Sequence, residues 1–387
     1  MSNLTSLEDT NLSNAPETNG NEQSTIVKDI LPILQALGLA IIAGFVCNYL
    51  QIPVGWLVGP ILVGISLAFA KGTPRPLPKA FLTIGKAIIG VYSASRFSPE
   101  TLVLAKNYAI PLLLCISVTA MLSILNGFLL WRLGKIDRFT SFLGTIPGGA
   151  SNIVAISEDL GANPVSVAIL QYTRMILVAL SAPSLANWLA RINGVEAPNG
   201  LTSMPVTPSE LIVMGPLWSN LLFLVGCCTL GTLLGRWLRL PASAFLGSFL
   251  LGVIVSWQFP HQFEVPHPAF DLALLFVGVS VGLRFSWEMV KDLWQVVLLE
   301  VGLIIMLMLA CVGIGYEFHL ITHLDTMTAL LGFVPGAIEA MVATATQLGG
   351  DTGTVVALQV TRQFLILLVI SVLNTFIASS KQEDNPG

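Results

Sequence analysis

The chain has 387 residues, of which 54% are hydrophobic and only 10% are charged, and its formal net charge at pH 7 is −4. Soluble domains carry about 25% charged residues, so this composition excludes an ordinary soluble protein. The chain has no basic soluble region that could meet phosphates, which excludes a nucleic-acid-binding protein. Its five cysteines lie in apolar stretches without a CxxC pair, which excludes a disulfide framework and a zinc finger.

The chain begins with a polar segment, which six apolar segments follow. Residues 1–25 are rich in Asn, Ser, Thr and Glu, so we expect a disordered cytoplasmic tail and no signal peptide. Residues 26–190 are predicted to form a first membrane repeat, because apolar segments of about 20 residues can cross a bilayer as helices. The segments are 27–50, 54–70, 79–95, 108–131, 139–160 and 164–190.

A second set of six apolar segments follows a linker. Residues 191–210 contain three prolines and are predicted to be this linker. Residues 211–380 are predicted to form a second membrane repeat. Its segments are 211–237, 242–258, 267–283, 294–316, 327–348 and 352–378.

The two repeats are related by an offset of 188 residues without a gap. Residues 137–177 and 325–365 share 16 identities in 41 positions. Shared apolar composition would not produce identities at polar positions and at prolines. The conserved pairs include Pro147-Gly148 with Pro335-Gly336, and Gln171–Arg174 with Gln359–Arg362. A duplicated membrane unit of this kind is typical of a secondary transporter.

The distribution of Lys and Arg indicates that the repeats are inverted, because these residues gather in cytoplasmic loops. With a cytoplasmic N-terminus and five crossings per repeat, twelve loop Lys and Arg residues lie inside and three lie outside. Six crossings per repeat give nine inside and six outside. We therefore predict an all-α polytopic membrane protein of two inverted repeats. Each repeat has about five transmembrane helices and one broken or re-entrant helix.

The fifth segment of each repeat is predicted to be the broken one. Residues 144–152 read GTIPGGASN, and residues 332–340 read GFVPGAIEA. Pro lacks a backbone donor and Gly readily leaves helical geometry. The exposed backbone groups of such a break are tolerated in a membrane only where they line a cavity. We expect two half-helices in each repeat; the alternatives are a Pro-kinked helix and a broken helix that crosses fully.

Five charged residues lie inside the apolar segments, where each would cost about 2.5–3.5 kcal/mol at the bilayer centre, so we expect them to face the protein interior. Arg174 and Arg362 are repeat equivalents, and each shares a helix face with a glutamine three residues earlier. The other three have uncharged equivalents and are assigned to ion coupling or charge pairing. They are Lys86, Glu300 and Glu339, which match Leu274, Leu112 and Ser151.

These features predict a binding site for a small anion at the interface of the repeats. Half-helices that begin after the breaks would point free N–H groups and positive dipole ends inward. The two arginines would add the fork geometry that suits a carboxylate. The structural alternative is that the arginines bind the carbonyls of the broken helices and pair with Glu339. The predicted site residues are Pro147, Gly148, Gly149, Ser151, Asn152, Gln171, Arg174, Pro335, Gly336, Gln359 and Arg362.

The paired P-G-[GA] breaks, each followed by Leu-Gly and then Q-x-T-R, resemble the AbrB family of duplicated bacterial inner-membrane proteins. The resemblance covers nearly all of residues 30–378. It implies a multi-pass membrane transport or regulatory protein, similar to the cation:proton antiporter and anion transporter superfamily. Members of the family also carry an ammonia monooxygenase label, and they are distinct from the small DNA-binding regulators that share their name.

Two other functions stay open. A metal-dependent monooxygenase would need clustered histidines or carboxylates. The four histidines all lie in loops of the second half, and the first half has none, which argues against a catalytic metal: His261, His267, His319 and His323. A membrane sensor that regulates gene expression would use the same pocket to bind a ligand without transport.

We therefore expect a secondary transporter of a small anionic solute that works by alternating access. No GxxxxGK[ST] phosphate loop is present, so we expect coupling to H⁺ or Na⁺. The expected partners are the anion, the coupling ion and the lipid bilayer, and a homodimer is compatible with the pattern. We expect no enzymatic activity, no cofactor and no metal. The expected location is the bacterial plasma membrane, with the N-terminus in the cytoplasm.

Overall fold

The computed structural model describes residues 19–71, 77–146, 150–158, 160–192, 217–240, 242–259, 265–285 and 287–365. Within these ranges, all regular secondary structure is helical. The residues outside them include Pro147, Gly148 and Gly149 of the first break and 193–216 of the linker region.

The first repeat consists of eight helices in the described ranges. They are α1 (Asn19–Tyr49), α2 (Gly55–Lys71), α3 (Lys79–Ser95), α4 (Pro99–Asn107), α5 (Ala109–Gly134), α6 (Arg138–Thr145), α7 (Ala150–Ser157) and α8 (Pro164–Ile192). Helix α1 begins at Asn19 and therefore includes the end of the polar segment predicted as a tail. Helix α8 likewise includes the first two residues of the predicted linker.

The second repeat has the same order of elements. Its helices are α9 (Leu217–Trp237), α10 (Ser243–Gln258), α11 (His267–Gly282), α12 (Trp287–Asp292), α13 (Trp294–Thr322), α14 (Thr326–Phe333), α15 (Ile338–Leu348) and α16 (352–365). The short helices α4 and α12, which join the third and fourth apolar segments, were not predicted.

The offset of 188 residues recurs in the backbone conformation. The starts of α6, α7 and α8 map onto the starts of α14, α15 and α16. Residues with positive φ also occur in equivalent pairs: Gln51 with Arg239, Val54 with Ala242, Lys135 with His323, and Gly161 with Gly349. Equivalent sequences thus adopt equivalent local structure, while the opposite orientation of the repeats in a bilayer stays a prediction.

Five of the described helices are long and apolar enough to cross a membrane: α1, α5, α8, α9 and α13. Helices α2, α10 and α11 are apolar but shorter. Many large apolar side chains on the long helices are exposed, among them Met121, Trp218 and Leu298. Such faces suit a lipid environment. The chain is therefore an all-α polytopic membrane protein, as predicted.

The helices pack as two bundles, and each bundle takes helices from both repeats. Helices α1–α3 pack with α9–α11 in a first bundle, and α5–α8 pack with α13–α15 in a second. Helix α16 joins the second bundle through side-chain hydrogen bonds to α14. Fewer contacts join the bundles to each other, mainly through α3, α11 and α2 against α15 and α8. The interface between the bundles contains the candidate functional site.

Close helix crossings fix the first bundle. A Cβ atom added to Gly278 of α11 would lie 2.7 Å from the carbonyl oxygen of Leu57 on α2. The equivalent Gly90 of α3 approaches the carbonyl oxygen of Phe245 on α10, at 2.5 Å from an added Cβ. Small residues at both crossings let the backbones touch, as is typical of helix packing in membranes.

Candidate functional site

The predicted helix break is confirmed in the second repeat. Helix α14 ends at Phe333, Val334 is extended with φ −61° and ψ 128°, and α15 begins at Ile338. Pro335 and Gly336 lie between the half-helices, as their missing donor and flexible backbone predict. The Asp325 carboxylate caps the start of α14 by accepting a hydrogen bond of 3.0 Å from the Thr328 N–H.

The first repeat is broken at the equivalent place. Helix α6 ends at Thr145, Ile146 is extended with φ −70° and ψ 124°, and α7 begins at Ala150. The Asp137 carboxylate caps the start of α6, at 2.8 Å from the Thr140 nitrogen. Helix α7 contains Ser151 and Asn152, whose side chains lie outside the described part of the structure, as does the turn 147–149.

In both repeats, the buried glutamine binds the carbonyl end of the first half-helix. Gln171 Nε2 donates to the carbonyl oxygens of Leu143 at 2.7 Å and Ile146 at 2.9 Å. Gln359 Nε2 donates to the equivalent oxygens of Leu331 at 2.7 Å and Val334 at 3.2 Å. The last carbonyls of a helix have no partner within the helix, so each glutamine satisfies groups that the break leaves free.

The two buried arginines complete this arrangement. Arg174 Nη1 donates to the Thr145 carbonyl at 2.6 Å, and Arg362 Nη1 donates to Phe333 at 3.2 Å and Val334 at 3.0 Å. The Nη2 atom of each arginine donates to its glutamine's Oε1 at 2.6 Å. Each guanidinium thus lies at the negative end of a half-helix dipole, which stabilises a buried cation. The arginines therefore bind the carbonyls of the broken helices, as the structural alternative from the sequence proposed. A ligand could bind only the N–H groups of each guanidinium that do not take part in these hydrogen bonds.

Glu339 pairs with a lysine rather than with an arginine, contrary to the pairing considered from the sequence. Lys86 Nζ on α3 lies 3.0 Å from Glu339 Oε1 in the first turn of α15. The pair connects the two bundles and also the two repeats. The carboxylate lies close to the N-terminus of a half-helix, where the positive end of the dipole favours a negative charge.

A cavity of about 150 Å³ lies between the bundles, and residues of both repeats line it. Arg174, Arg362, Gln359 and Gly336 of the predicted site contribute to its wall, as do Lys86 and Glu339. Gln171 is fully buried behind the wall. The apolar part of the wall includes Leu57 of α2, Phe245 of α10 and Val277 of α11.

The charges of the cavity wall are mostly positive. Among the described residues, four cationic side chains line it, namely Lys86, Arg174, Arg284 and Arg362, against one carboxylate, that of Glu339. In a region of low dielectric constant, this excess of positive charge attracts an anion strongly and repels a cation.

Arg284 and Tyr172 are residues of this wall that the sequence did not predict as part of the site. Arg284 Nη1 donates a hydrogen bond of 2.8 Å to the Tyr172 hydroxyl, and the guanidinium lies 5.6 Å from the centre of the tyrosine ring. The sequence placed Arg284 in a cytoplasmic loop after α11, where a charge needs no partner. Its position at the end of a helix that lines the cavity was visible only once the bundles were assembled.

Glu300 lies apart from the cavity wall. It is fully buried on α13, and both of its carboxylate oxygens lack a hydrogen-bond partner among the described residues. The charged residue with which it interacts electrostatically is Arg174. The predicted group of three unmatched charges therefore separates into one ion pair and one isolated carboxyl group.

The histidines within the described residues lie at or near the ends of helices. His319 Nδ1 lies 2.5 Å from the Leu324 carbonyl oxygen, and His323 ends α13 in a left-handed conformation. His267 begins α11, and His261 lies outside the described ranges. In the part of the chain that the structure describes, no three His, Cys, Asp or Glu side chains form a group that could hold a metal ion.

Comparison with known proteins agrees with the repeated motifs. The family described as "Transition state regulatory protein AbrB" matches residues 56–378. The chain is similar to the "Uncharacterized protein YhjN" of Bacillus subtilis (strain 168), with 26% identity over 375 residues, covering 90% of this chain and 93% of that protein. It is also similar to the "Putative regulator AbrB" of Escherichia coli (strain K12), with 28% identity over 359 residues, covering 90% of this chain and 98% of that protein. The chain therefore belongs to the AbrB family.

Proposed function

We propose that this protein is a secondary transporter that carries a small anion across the bacterial inner membrane by alternating access, coupled to H⁺ or Na⁺. The observation that carries the proposal is the cavity between the bundles, with four cationic side chains and one carboxylate on its wall. A cavity of about 150 Å³ suits a small solute such as a short carboxylate or an inorganic anion, because the arginine fork matches such groups.

Broken helices at the cavity support transport in particular. Transporters bind their solutes where discontinuous helices meet at the interface of repeats, and one bundle then moves against the other. In this chain, the break in the second repeat and the buried arginines belong to one bundle, while Lys86 and Arg284 belong to or follow helices of the other. An anion in the cavity would therefore contact both bundles.

An asymmetry between the two ends of the interface also supports alternating access. At one end the bundles touch, because a Cβ atom added to Gly353 of α16 would lie 2.7 Å from the carbonyl oxygen of Arg96 after α3. The Val54 N–H also donates to Gln347 Oε1 between the bundles. The equivalents of Gly353 and Arg96 are Val165 and Arg284, and Val165 is 49% exposed. We infer that the bundles pack more closely at the Arg96 end than at the Arg284 end, where the hydrogen bond from Arg284 to Tyr172 joins them.

Uptake into proteoliposomes tests the proposal. The probes are radiolabelled acetate, succinate, glutamate, phosphate and sulfate, with an inward gradient of H⁺ or of Na⁺. We expect uptake of at least one anion that is driven by the gradient. In Arg284→Gln we expect the apparent affinity for this anion to fall about tenfold, which corresponds to about 1.4 kcal/mol of binding free energy. Arg284 binds no half-helix carbonyl, so this change spares the broken helices. The matched control, Arg236→Gln, removes an exposed arginine at the end of α9 and should transport like the wild type.

A ligand-sensing protein involved in regulation is the second candidate, and the names of the family and of the Escherichia coli relative favour it. A transporter moves the anion across the membrane, whereas a sensor only binds it. Thermal stabilisation of the purified protein by one of these anions, without uptake above that of protein-free liposomes, would contradict transport and support the sensor. We further propose that the protein is not an oxidase, so the purified protein should retain no copper, iron or zinc by elemental analysis.

A further inference from the structure

Glu300 on α13 is a buried carboxyl group that the cavity does not use. Its side chain is 0% exposed, and neither carboxylate oxygen has a hydrogen-bond partner among the described residues. The first repeat has Leu112 at this position, so the carboxyl group is not needed to build the fold. A buried polar group without a partner costs free energy, and a charge costs much more. A residue retained at that cost is a candidate for a functional role.

The second polar group of this region is Asn126 on α5. Helices α5 and α13 pack antiparallel, because Leu130 clusters with Val296 at one end and Leu112 clusters with Phe318 at the other. Asn126 lies one turn before Leu130 on α5, and Glu300 lies one turn after Val296 on α13. Because the helices are antiparallel, Asn126 and Glu300 lie at the same height along the helix pair. Asn126 is 4% exposed, and its Nδ2 atom also lacks a partner among the described residues.

The repeat supports this placement independently. The residues equivalent to Glu300 and Asn126 are Leu112 and Ile314, and these two belong to one apolar cluster. The equivalent position in one copy is thus filled by two packed apolar side chains. In the other copy it holds a carboxyl group and an amide nitrogen, Asn126 Nδ2, that have no hydrogen-bond partner among the described residues.

Arg174 connects this polar region to the cavity. Helix α8 packs against α13, and Arg174 is the charged group with which Glu300 interacts electrostatically. The same guanidinium lines the cavity. Among the other described elements packed on α13, α14 has no titratable residue. The charged residues of α5 and α12 lie at helix ends, namely Arg132, Glu288, Lys291 and Asp292.

We propose that Glu300 is the group that binds and releases the coupling proton, with Asn126 beside it and Arg174 as its link to the transported anion. The proposal rests on the proposed function of anion transport. With the cavity empty, the carboxylate compensates the charge of Arg174. An anion that enters the cavity takes over this compensation, and Glu300 then binds a proton from water and becomes a neutral carboxylic acid.

The consequence is that the anion and the proton bind together and cross together. Because binding free energies are reciprocal, an anion that favours protonation of Glu300 binds more tightly to the protonated protein. A proton fits this position better than a sodium ion. The neighbouring guanidinium repels a metal cation, and one carboxylate with one amide supplies few of the oxygen ligands that such an ion needs.

Infrared spectroscopy of the purified, detergent-solubilised protein tests the proposal without a known substrate. The measurement follows the carbonyl band of protonated carboxylic acids in a buried environment as the pH is lowered. We expect one titrating band in the wild type and its loss in Glu300→Gln. Glu300→Leu copies the first repeat and should fold and lose the band as well. The control Glu339→Gln removes the other buried carboxyl group and should keep the band.

The second arm of the experiment adds acetate, succinate or phosphate. We expect the midpoint of the band to shift to higher pH with the anion that stabilises the protein against heat, and this shift to be absent in Arg174→Gln. A band unchanged in both Glu300 variants, or one that does not titrate, would overturn the proposal. Loss of the band on addition of sodium chloride, but not of choline chloride, would assign the site to sodium and overturn it too. Failure of every anion to bind contradicts the proposed function, whereas the band of the anion-free protein still reports on Glu300.

Discussion

Lys86 Nζ lies 3.0 Å from Glu339 Oε1, and this ion pair joins two residues whose repeat equivalents, Leu274 and Ser151, carry no charge. Each residue looks like an isolated exception when the repeats are compared along the sequence. Together they form one contact across the interface between the bundles. The two charged residues without charged repeat equivalents therefore form a pair, and each one neutralises the charge of the other.

Removal of one member of this pair should destabilise the protein more than removal of both. Lys86→Leu leaves a buried carboxylate without its partner. Removing one partner of a fully buried ion pair lowers the free energy of unfolding by about 3–5 kcal/mol. The loss should be smaller here, because the Lys86 side chain is 25% exposed. The double variant Lys86→Leu/Glu339→Ser copies the other repeat at both positions and should recover most of the loss. Thermal unfolding in detergent measures the cycle, and additive single effects would contradict the coupling.

Gln359→Leu should destabilise the second broken helix. The change removes the donor to the carbonyl of Leu331 and the acceptor of Arg362 Nη2, while the Val334 carbonyl keeps its bond from Arg362 Nη1. Each buried polar group that loses its partner costs about 1–3 kcal/mol. Unfolding of the purified variant by heat or denaturant measures this cost. Gln258→Leu removes an exposed glutamine at the end of α10 and serves as the control. Equal stability of the two variants would show that the glutamine does not hold the half-helix.

Gly353→Ala should open the interface at the Arg96 end. The new Cβ would lie 2.7 Å from a backbone oxygen, so the bundles must separate there. We expect faster hydrogen exchange, followed by mass spectrometry, in residues 95–101 and 351–356. Gly350→Ala is the control, because its added Cβ meets no atom closer than 3.5 Å. Unchanged exchange in Gly353→Ala would argue that this end is not a contact that opens.

Gly278→Ala should weaken the crossing of α2 and α11. A methyl group at 2.7 Å from the Leu57 carbonyl oxygen forces the backbones apart, at about 1–3 kcal/mol for such overpacking. Gly302→Ala on α13 is the matched control, since an added Cβ there has nothing within 4 Å. The control should be neutral or stabilising by up to about 1 kcal/mol, because Ala favours a helix over Gly. Thermal unfolding of both variants decides whether close packing at Gly278 matters.

Much of the local structure followed from the sequence because short-range physics fixes it. Pro335 lacks a backbone donor and Gly336 readily leaves helical geometry, so the break between α14 and α15 was predictable to within a few residues. The Asp137 and Asp325 caps and the paired left-handed residues follow from local backbone preferences at equivalent positions. The apolar segments predicted the longer helices. Helices α4 and α12 were not predicted, because they are short and only weakly apolar.

The charged groups of the site were found by sequence, but their partners were not. The repeats identified Gln171, Arg174, Gln359 and Arg362 as a matched set, while the structure decided that they bind the carbonyl ends of the half-helices. The pairing of Lys86 with Glu339 and the contact of Arg284 with Tyr172 join residues more than 100 positions apart. No periodicity in the sequence encodes such distances.

By itself, then, the sequence determined the class of the protein, the duplication with its offset of 188 residues and the positions of the helix breaks. These features depend on composition and on conformational preferences within a few residues. Only the tertiary structure decided that helices of both repeats mix in each bundle, that a cavity lies between the bundles and that Glu300 interacts electrostatically with Arg174. These relationships depend on the direction in which each helix presents its side chains after packing, and packing joins parts of the chain that are distant in sequence.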